Sequence, residues 1–98
     1  MSSEKVKLLI NNDFKNIDDN LKEWTRLNII EPKKEILSLN NDGSSLKEFC
    51  IVTKRSDSSY RITYDEDDNI FGLECKLADG IKWYMGPYGT FSEAINNM

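Results

Sequence analysis

The chain has 98 residues, and its 17 acidic residues outnumber its 13 basic residues, giving a net charge of −4 at pH 7. This length is typical of one domain, so we expect a single domain over residues 1–98. The acidic balance disfavours nucleic-acid binding, which relies on Lys and Arg side chains to neutralise phosphates. The acidic balance favours a basic protein partner, or it has a role in solubility alone.

No apolar stretch near the N-terminus has the length of a secretory signal or a membrane span. The apolar run Leu8–Ile10 is followed by polar residues, whereas a signal needs about 7–15 apolar residues and a spanning helix about 20. Cys50 and Cys75 lack CxxC spacing, and we expect them to be reduced, with a disulfide or reactive thiol left open. We therefore expect a cytoplasmic protein that does not bind membranes.

The N-terminal third has the periodicity of an amphipathic helix. Its apolar residues alternate in spacing between four and three positions: Ile10, Phe14, Ile17, Leu21 and Trp24. This pattern predicts a helix over residues 13–28. Asp13 or Asn20 is a candidate cap, and Asn20 with Glu23 has the spacing of a capping box. Residues 4–10 fit either a helical extension or a short strand.

Beyond Pro32, which must lie outside the helix, the apolar period changes to two. Strands are expected at residues 35–39, 46–54, 60–64, 71–77 and 81–85. Asp42–Gly43 and Asp79–Gly80 are turn signals. Gly86–Gly89 is expected to end the last strand, and the capping box Thr90–Glu93 to begin a short helix.

This order of elements predicts an α+β fold. An antiparallel meander of four to five strands would be covered on one face by the N-terminal helix and the short C-terminal helix. The residues expected to cover the sheet are Phe14, Ile17, Leu21, Trp24, Phe91 and Ile95.

The residue inventory excludes several kinds of chemistry. The chain has no histidine, so it lacks the commonest general base, every Ser-His or Cys-His pair and the commonest zinc ligand. Its five glycines form neither GxGxxG nor GxxxxGK[ST]. We therefore expect no enzyme activity, no cofactor and no metal, with catalysis by carboxylates alone as an open alternative.

The negative charge is concentrated in the stretch Asp65–Asp68, four consecutive acidic residues. The rest of the chain is balanced, with 13 residues of each sign. One interpretation is a solvated hairpin tip. Another is a recognition surface for Lys and Arg clusters, with Glu74 and Asp79 nearby.

Calcium binding is a third interpretation of the acidic stretch. Asp65, Asp67 and Asn69 fit positions 1, 3 and 5 of an EF-hand loop. However, Ile70 stands where Gly is needed and Lys76 where a bidentate Glu is needed. The sequence therefore argues against a calcium site.

The last strand offers a second candidate surface. Alternation places Trp83 and Met85 on one side and Tyr84 on the other. If Trp83 faces the core, Tyr84 and Tyr88 are the more exposed aromatic residues, and exposed Tyr is a common interface anchor.

The segment Trp83–Ile95, reading WYMGPYGTFSEAI, resembles the end of several small bacterial toxin-immunity proteins. In those proteins a last aromatic strand turns through Gly and Pro into a short helix. The size and acidity of the chain are also similar to immunity proteins of contact-dependent growth inhibition systems. The resemblance implies a stoichiometric inhibitor of a cognate toxin, often a nuclease, without turnover.

We therefore expect a non-catalytic protein that neutralises a basic partner, in particular a toxin domain. The expected partner-binding residues are Asp65, Glu66, Asp67, Asp68, Glu74, Asp79, Tyr84 and Tyr88. A phage-type nucleic-acid mimic that inhibits a DNA-binding enzyme is one alternative. A structural domain that self-associates through a sheet edge is another.

Overall fold

The computed structural model describes residues 3–98, and it has the expected α+β fold. The elements are helix α1 Ser3–Asp13, a 3-10 turn Phe14–Asn16, helix α2 Asp19–Asn28, strands β1 Ile29–Ser38, β2 Leu46–Thr53, β3 Tyr60–Asp65, β4 Ile70–Lys76 and β5 Lys82–Gly89, and helix α3 Phe91–Asn96. No helix within residues 3–98 is long and apolar enough to cross a membrane.

The five strands form a meander that closes into a barrel. Consecutive strands pair antiparallel, and β1 meets β5 through one parallel pair, Ser38 with Trp83. Side chains therefore alternate between the barrel interior and an outer face. The helices pack on the outer face, against Cys50, Val52, Ile62, Tyr64, Phe71 and Leu73. Leu37, Phe49, Ile51 and Tyr84 form a second apolar cluster inside the barrel.

The helical layer confirms the predicted covering residues and adds two more. Ile17, Phe91 and Ile95 are buried in the outer core, and Phe14, Leu21 and Trp24 pack against it half-buried. Helix α1 also contributes Val6 and Ile10, both buried, which settles residues 4–10 as helix.

The single helix predicted over residues 13–28 is wrong, because the chain breaks at Ile17. Ile17 has extended backbone angles (φ −74°, ψ 140°) and is only 3% exposed. Asn96 of α3 accepts a hydrogen bond from the Asp18 amide (2.9 Å) and donates one to the Asn16 carbonyl (3.2 Å). Long-range contacts thus satisfy the backbone groups that the break exposes.

The expected caps of α2 are also wrong, whereas that of α3 is confirmed. The N-cap of α2 is Asp18, which makes no side-chain capping bond. Asp13 instead accepts from the Ser92 amide of α3 (2.7 Å). Thr90 and Glu93 form the predicted capping box.

Two strands are longer than predicted, each across a proline. β1 begins at Ile29 and passes through Pro32 by an irregularity between Ile29 and Lys33. β5 continues to Gly89 instead of ending at residue 85, with two register shifts against β4. Gly86 takes a φ of +124° there, a conformation that glycine adopts without steric cost.

Candidate partner-binding surface

The acidic stretch forms the turn between β3 and β4, and internal hydrogen bonds fix its shape. The Asp65 carboxylate accepts from the Asp67 amide (3.0 Å). The Tyr64 hydroxyl donates to the Asn69 side-chain oxygen. Asn69 has a φ of +56°, which Asn tolerates better than most residues. The carboxylates that follow Asp65 are therefore presented by an ordered turn.

Strand alternation divides the four acidic residues between two environments. Asp65, 5% exposed, points to the interior side and pairs with Lys47 at 2.9 Å. Lys47 also contacts Asp67 (3.4 Å), whose side chain is 78% exposed. The structure thus buries Asp65, one of the predicted partner-binding residues, in an internal ion pair, while Asp67 remains accessible.

Glu66 lies on the outer face beside two charged residues of the neighbouring strands. Lys34 of β1 approaches both Glu48 (3.6 Å) and Glu66 (3.7 Å). The Cys50 thiol is a further neighbour of Glu66, at 3.8 Å, and burial raises the pKa of Cys50 to about 11, which makes it a poor nucleophile at neutral pH. Asp68, the last acid, is exposed.

A cleft of about 260 Å³ separates these two environments. It is lined by Lys34, Lys47, Glu48, Phe49, Asp65, Glu66 and Asp67. Two lysines therefore offset part of the negative charge, but the carboxylates still outnumber them. The surface is acidic, although less so than the four charges in the sequence indicate.

Glu74 does not belong to this surface, contrary to the sequence-based expectation. It is 0% exposed, because the inward-facing positions of β4 are enclosed by the barrel. Arg55 donates to it from both terminal guanidinium nitrogens, Nη1 and Nη2 (2.6 and 2.9 Å), and Arg61 donates to it from Nε (3.0 Å). Its charge is neutralised inside the protein.

Glu74 is one member of a larger group, which we call the barrel ion network. Its members are Lys33, Glu35, Arg55, Arg61, Glu74 and Lys82. Arg61 forms two parallel bonds to Glu35 (2.9 and 3.0 Å), and Lys82 reaches Glu35 at 3.0 Å. The hydrogen bonds from Arg61 lower the pKa of Glu35 to about 2. These charges satisfy one another and have a structural role.

Asp79 also lies away from the acidic turn. It is exposed in the turn between β4 and β5, where it accepts a hydrogen bond from the Ile81 amide (3.1 Å). The acidic turn precedes β4 and Asp79 follows it, so the length of one strand, roughly 20 Å, separates them. Asp79 and the acidic turn therefore do not form one patch.

Neither predicted tyrosine anchor projects into solvent. The Tyr84 ring stacks on Phe49 inside the barrel, with ring centroids 4.1 Å apart, and burial raises the pKa of Tyr84 to about 12. Tyr88 packs half-buried against the outer core. Trp83 is half-buried as well. Alternation correctly predicted that Tyr84 and Trp83 lie on opposite sides of β5. However, closure of the barrel encloses the side of Tyr84, which was expected to face solvent.

The structure adds an apolar surface that the sequence interpretation missed. Ile36 (61% exposed), Leu39 (45%) and Leu46 (64%) lie on the hairpin of β1 and β2. Two adjacent apolar residues in one strand, Ile36 and Leu37, were the available signal, because alternation forces one of them outward. Leu37 is buried, so Ile36 is the residue that faces solvent.

No group of three or more His, Cys, Asp or Glu side chains within residues 3–98 is placed to hold a metal ion. Comparison with protein-family models, curated proteins and solved structures gives no significant match for this chain. The chemistry of the surface itself is therefore what indicates a function.

Proposed function

We propose that this chain is a non-catalytic binding protein that neutralises a basic partner, acting as an immunity protein for a nuclease-type toxin domain. The observation that supports this most is the ordered turn that presents Glu66, Asp67 and Asp68 at one end of the barrel. A fixed acidic surface speeds encounter with a basic surface and disfavours partners of like charge.

The chemistry of a nuclease supplies the matching surface. A domain that binds nucleic acid carries Lys and Arg side chains that contact phosphates. Carboxylates held at the edge of this barrel would pair with the same side chains and exclude the nucleic acid. The site needs no turnover for this role, since occupation of the basic surface is itself inhibition.

The three consecutive exposed acids Glu66, Asp67 and Asp68 share one turn at one end of the barrel, which favours a protein partner over mimicry of a nucleic acid. A mimic presents carboxylates at phosphate-like intervals along a surface, whereas Glu74 and Asp65 are withdrawn into the fold. We also propose a cytoplasmic location, where thiols such as Cys50 and Cys75 stay reduced. No disulfide joins these two cysteines.

Coexpression tests the proposal. Each gene next to the one for this protein is expressed in a bacterial host, with and without the protein. We expect one neighbour to arrest growth alone and to be harmless when the protein is present. If no neighbouring product is toxic, or if toxicity persists in the presence of the protein, the proposal is wrong.

Association kinetics with that toxin domain then test the acidic turn. The triple variant Glu66→Gln, Asp67→Asn, Asp68→Asn should associate several-fold more slowly and show a weaker dependence on salt. A matched control removes three exposed acids elsewhere: Glu4→Gln, Glu23→Gln and Asp57→Asn. Equal association rates for the two variants would remove the turn from the mechanism, because both have the same net charge.

A further inference from the structure

Exposed apolar side chains are concentrated on one hairpin. Within residues 3–98, five large aliphatic side chains are 45% exposed or more: Leu8, Leu27, Ile36, Leu39 and Leu46. Three of them, Ile36, Leu39 and Leu46, belong to the β1–β2 hairpin, and we call the two that share its outer face, Ile36 and Leu46, the hairpin patch. Isolated exposed apolar residues are ordinary, but a group beside polar residues is typical of interaction sites.

The strand register places Ile36 and Leu46 side by side. Ser38 pairs with Leu46, and Ile36 pairs with Glu48, so Ile36 and Leu46 are diagonal neighbours on the outer face. Diagonal neighbours in a sheet lie about 7–8 Å apart, within reach of aliphatic side chains. The Leu39 amide donates to the Ser45 carbonyl (2.7 Å), which extends the pairing of the hairpin by one residue and gives Leu39 the opposite alternation to Leu46.

Side-chain hydrogen bonds hold the tip of the hairpin, as they hold the acidic turn. The Ser44 amide donates to both Asn40 Oδ1 (3.1 Å) and Asp42 Oδ1 (2.9 Å), and Asn40 Nδ2 donates to Ser44 Oγ (2.8 Å). A surface that is already ordered loses less conformational entropy when it binds. The patch therefore has the rigidity expected of a preformed interface.

The charge beside the patch is mainly negative. Glu48 lies directly across from Ile36, and Glu66 shares Lys34 with Glu48. Two carboxylates thus border the apolar residues with one lysine between them. Two copies of this chain docked through the patch would bring these like charges together, which disfavours self-association.

From this arrangement we infer that the hairpin patch and its acidic border form one docking surface for a protein segment with apolar and basic side chains. Apolar side chains of the partner cover Ile36 and Leu46, and its Arg or Lys side chains pair with Glu48 and Glu66. The inference rests on the proposed function for the biological partner, since it names the surface that anchors the toxin domain. The acidic turn then controls the association rate and the patch the dissociation rate.

A pair of peptides tests the surface without the toxin. One alternates Arg and Leu, and the other alternates Arg and Gly with the same charge. In NMR titrations of the isotope-labelled protein, the Arg–Leu peptide should shift the amides of Ile36, Leu46 and Glu48. It should bind more tightly than the Arg–Gly peptide, because only its leucines can cover the patch.

Matched variants then separate the patch from general stickiness. The double variant Ile36→Ser, Leu46→Ser should bind the Arg–Leu peptide about tenfold more weakly than the wild type. Leu27→Ser removes an equally exposed leucine on α2 and should bind as the wild type does. All three residues are exposed, so both variants are expected to fold, and their NMR spectra verify this.

Three results would overturn the inference: equal Arg–Leu binding by wild type and double variant, peptide shifts centred outside the hairpin, or a wild-type dimer in sedimentation that the double variant loses. The last would assign the patch to a second copy. Failure to find a neutralised toxin would refute the proposed function and leave the peptide measurement valid, so the two failures are distinguishable.

Discussion

Glu74 and Asp67 each carry a carboxylate, one within β4 and the other three residues before it, yet the fold gives them opposite surroundings. Glu74 has no solvent exposure and is bound by Arg55 and Arg61. Asp67 is 78% exposed and meets Lys47 only at 3.4 Å. The comparison shows that barrel closure, and not local charge density, decides which acids are structural and which can meet a partner.

The largest effect should follow from breaking the barrel ion network at Glu74. Glu74→Ala leaves two arginines near each other without their shared carboxylate. We expect a loss of about 3–5 kcal/mol in the free energy of unfolding, since removing one partner of a buried ion pair leaves the other charge unpaired. Urea denaturation measures it. Glu48→Ala, an exposed acid on β2, is the matched control and should change stability by less than about 0.5 kcal/mol. Similar losses in the two variants would contradict the assigned roles.

Acid titration should show the same network through Glu35. Its pKa is lowered from 4.5 to about 2 in the folded protein. A carboxylate whose pKa is lower in the folded than in the unfolded state stabilises the fold at pH values above its unfolded pKa. This stabilisation is lost as the pH falls from about 4.5 toward 2. We expect Glu35 to contribute roughly 2–3 kcal/mol to the free energy of unfolding at neutral pH, a value already reduced for the remaining solvent contact of its side chain.

The measurement is urea unfolding at a series of pH values for the wild type and Glu35→Gln. The variant should be less stable at neutral pH, and its stability should fall less steeply below pH 4.5. Other acids with lowered pKa values, such as Asp13 and Asp42, contribute equally to both curves. Parallel curves would mean that Glu35 is not held by Arg61 in solution.

The α+β fold was predictable because periodicity records which side of an element is buried. Ile17 and Phe91 followed that rule and reached the outer core. The ion network was not predictable, because Glu35, Arg61 and Glu74 come from three strands that only the register brings together. The predicted exposure of Tyr84 was wrong for a related reason. Alternation gives the side of the strand on which a residue lies, but not whether closure of the barrel covers that side.

Asp65 should give an intermediate effect, because it belongs to the acidic stretch in sequence and to the interior in structure. Asp65→Asn keeps the shape but loses the charge that faces Lys47. We expect a loss of about 1–2 kcal/mol, measured by urea denaturation. Association of this variant with a basic partner should become slower only to the extent that loss of the ion pair loosens the turn. A neutral effect on stability would place Asp65 with the exposed acids.

The smallest effect on stability should come from Asp68. Asp68 is exposed and sits among like charges, so Asp68→Asn relieves repulsion while removing little favourable interaction. The free energy of unfolding should stay within about 0.5 kcal/mol of the wild type, whereas association with a basic partner should slow, because rim charges act mainly on encounter. Thermal or urea denaturation and association kinetics on the same sample check both. If Asp68→Asn lost as much stability as Asp65→Asn, the acids of the turn would be structural as a group. The distinction between acids that stabilise the barrel and acids that face a partner would then be wrong.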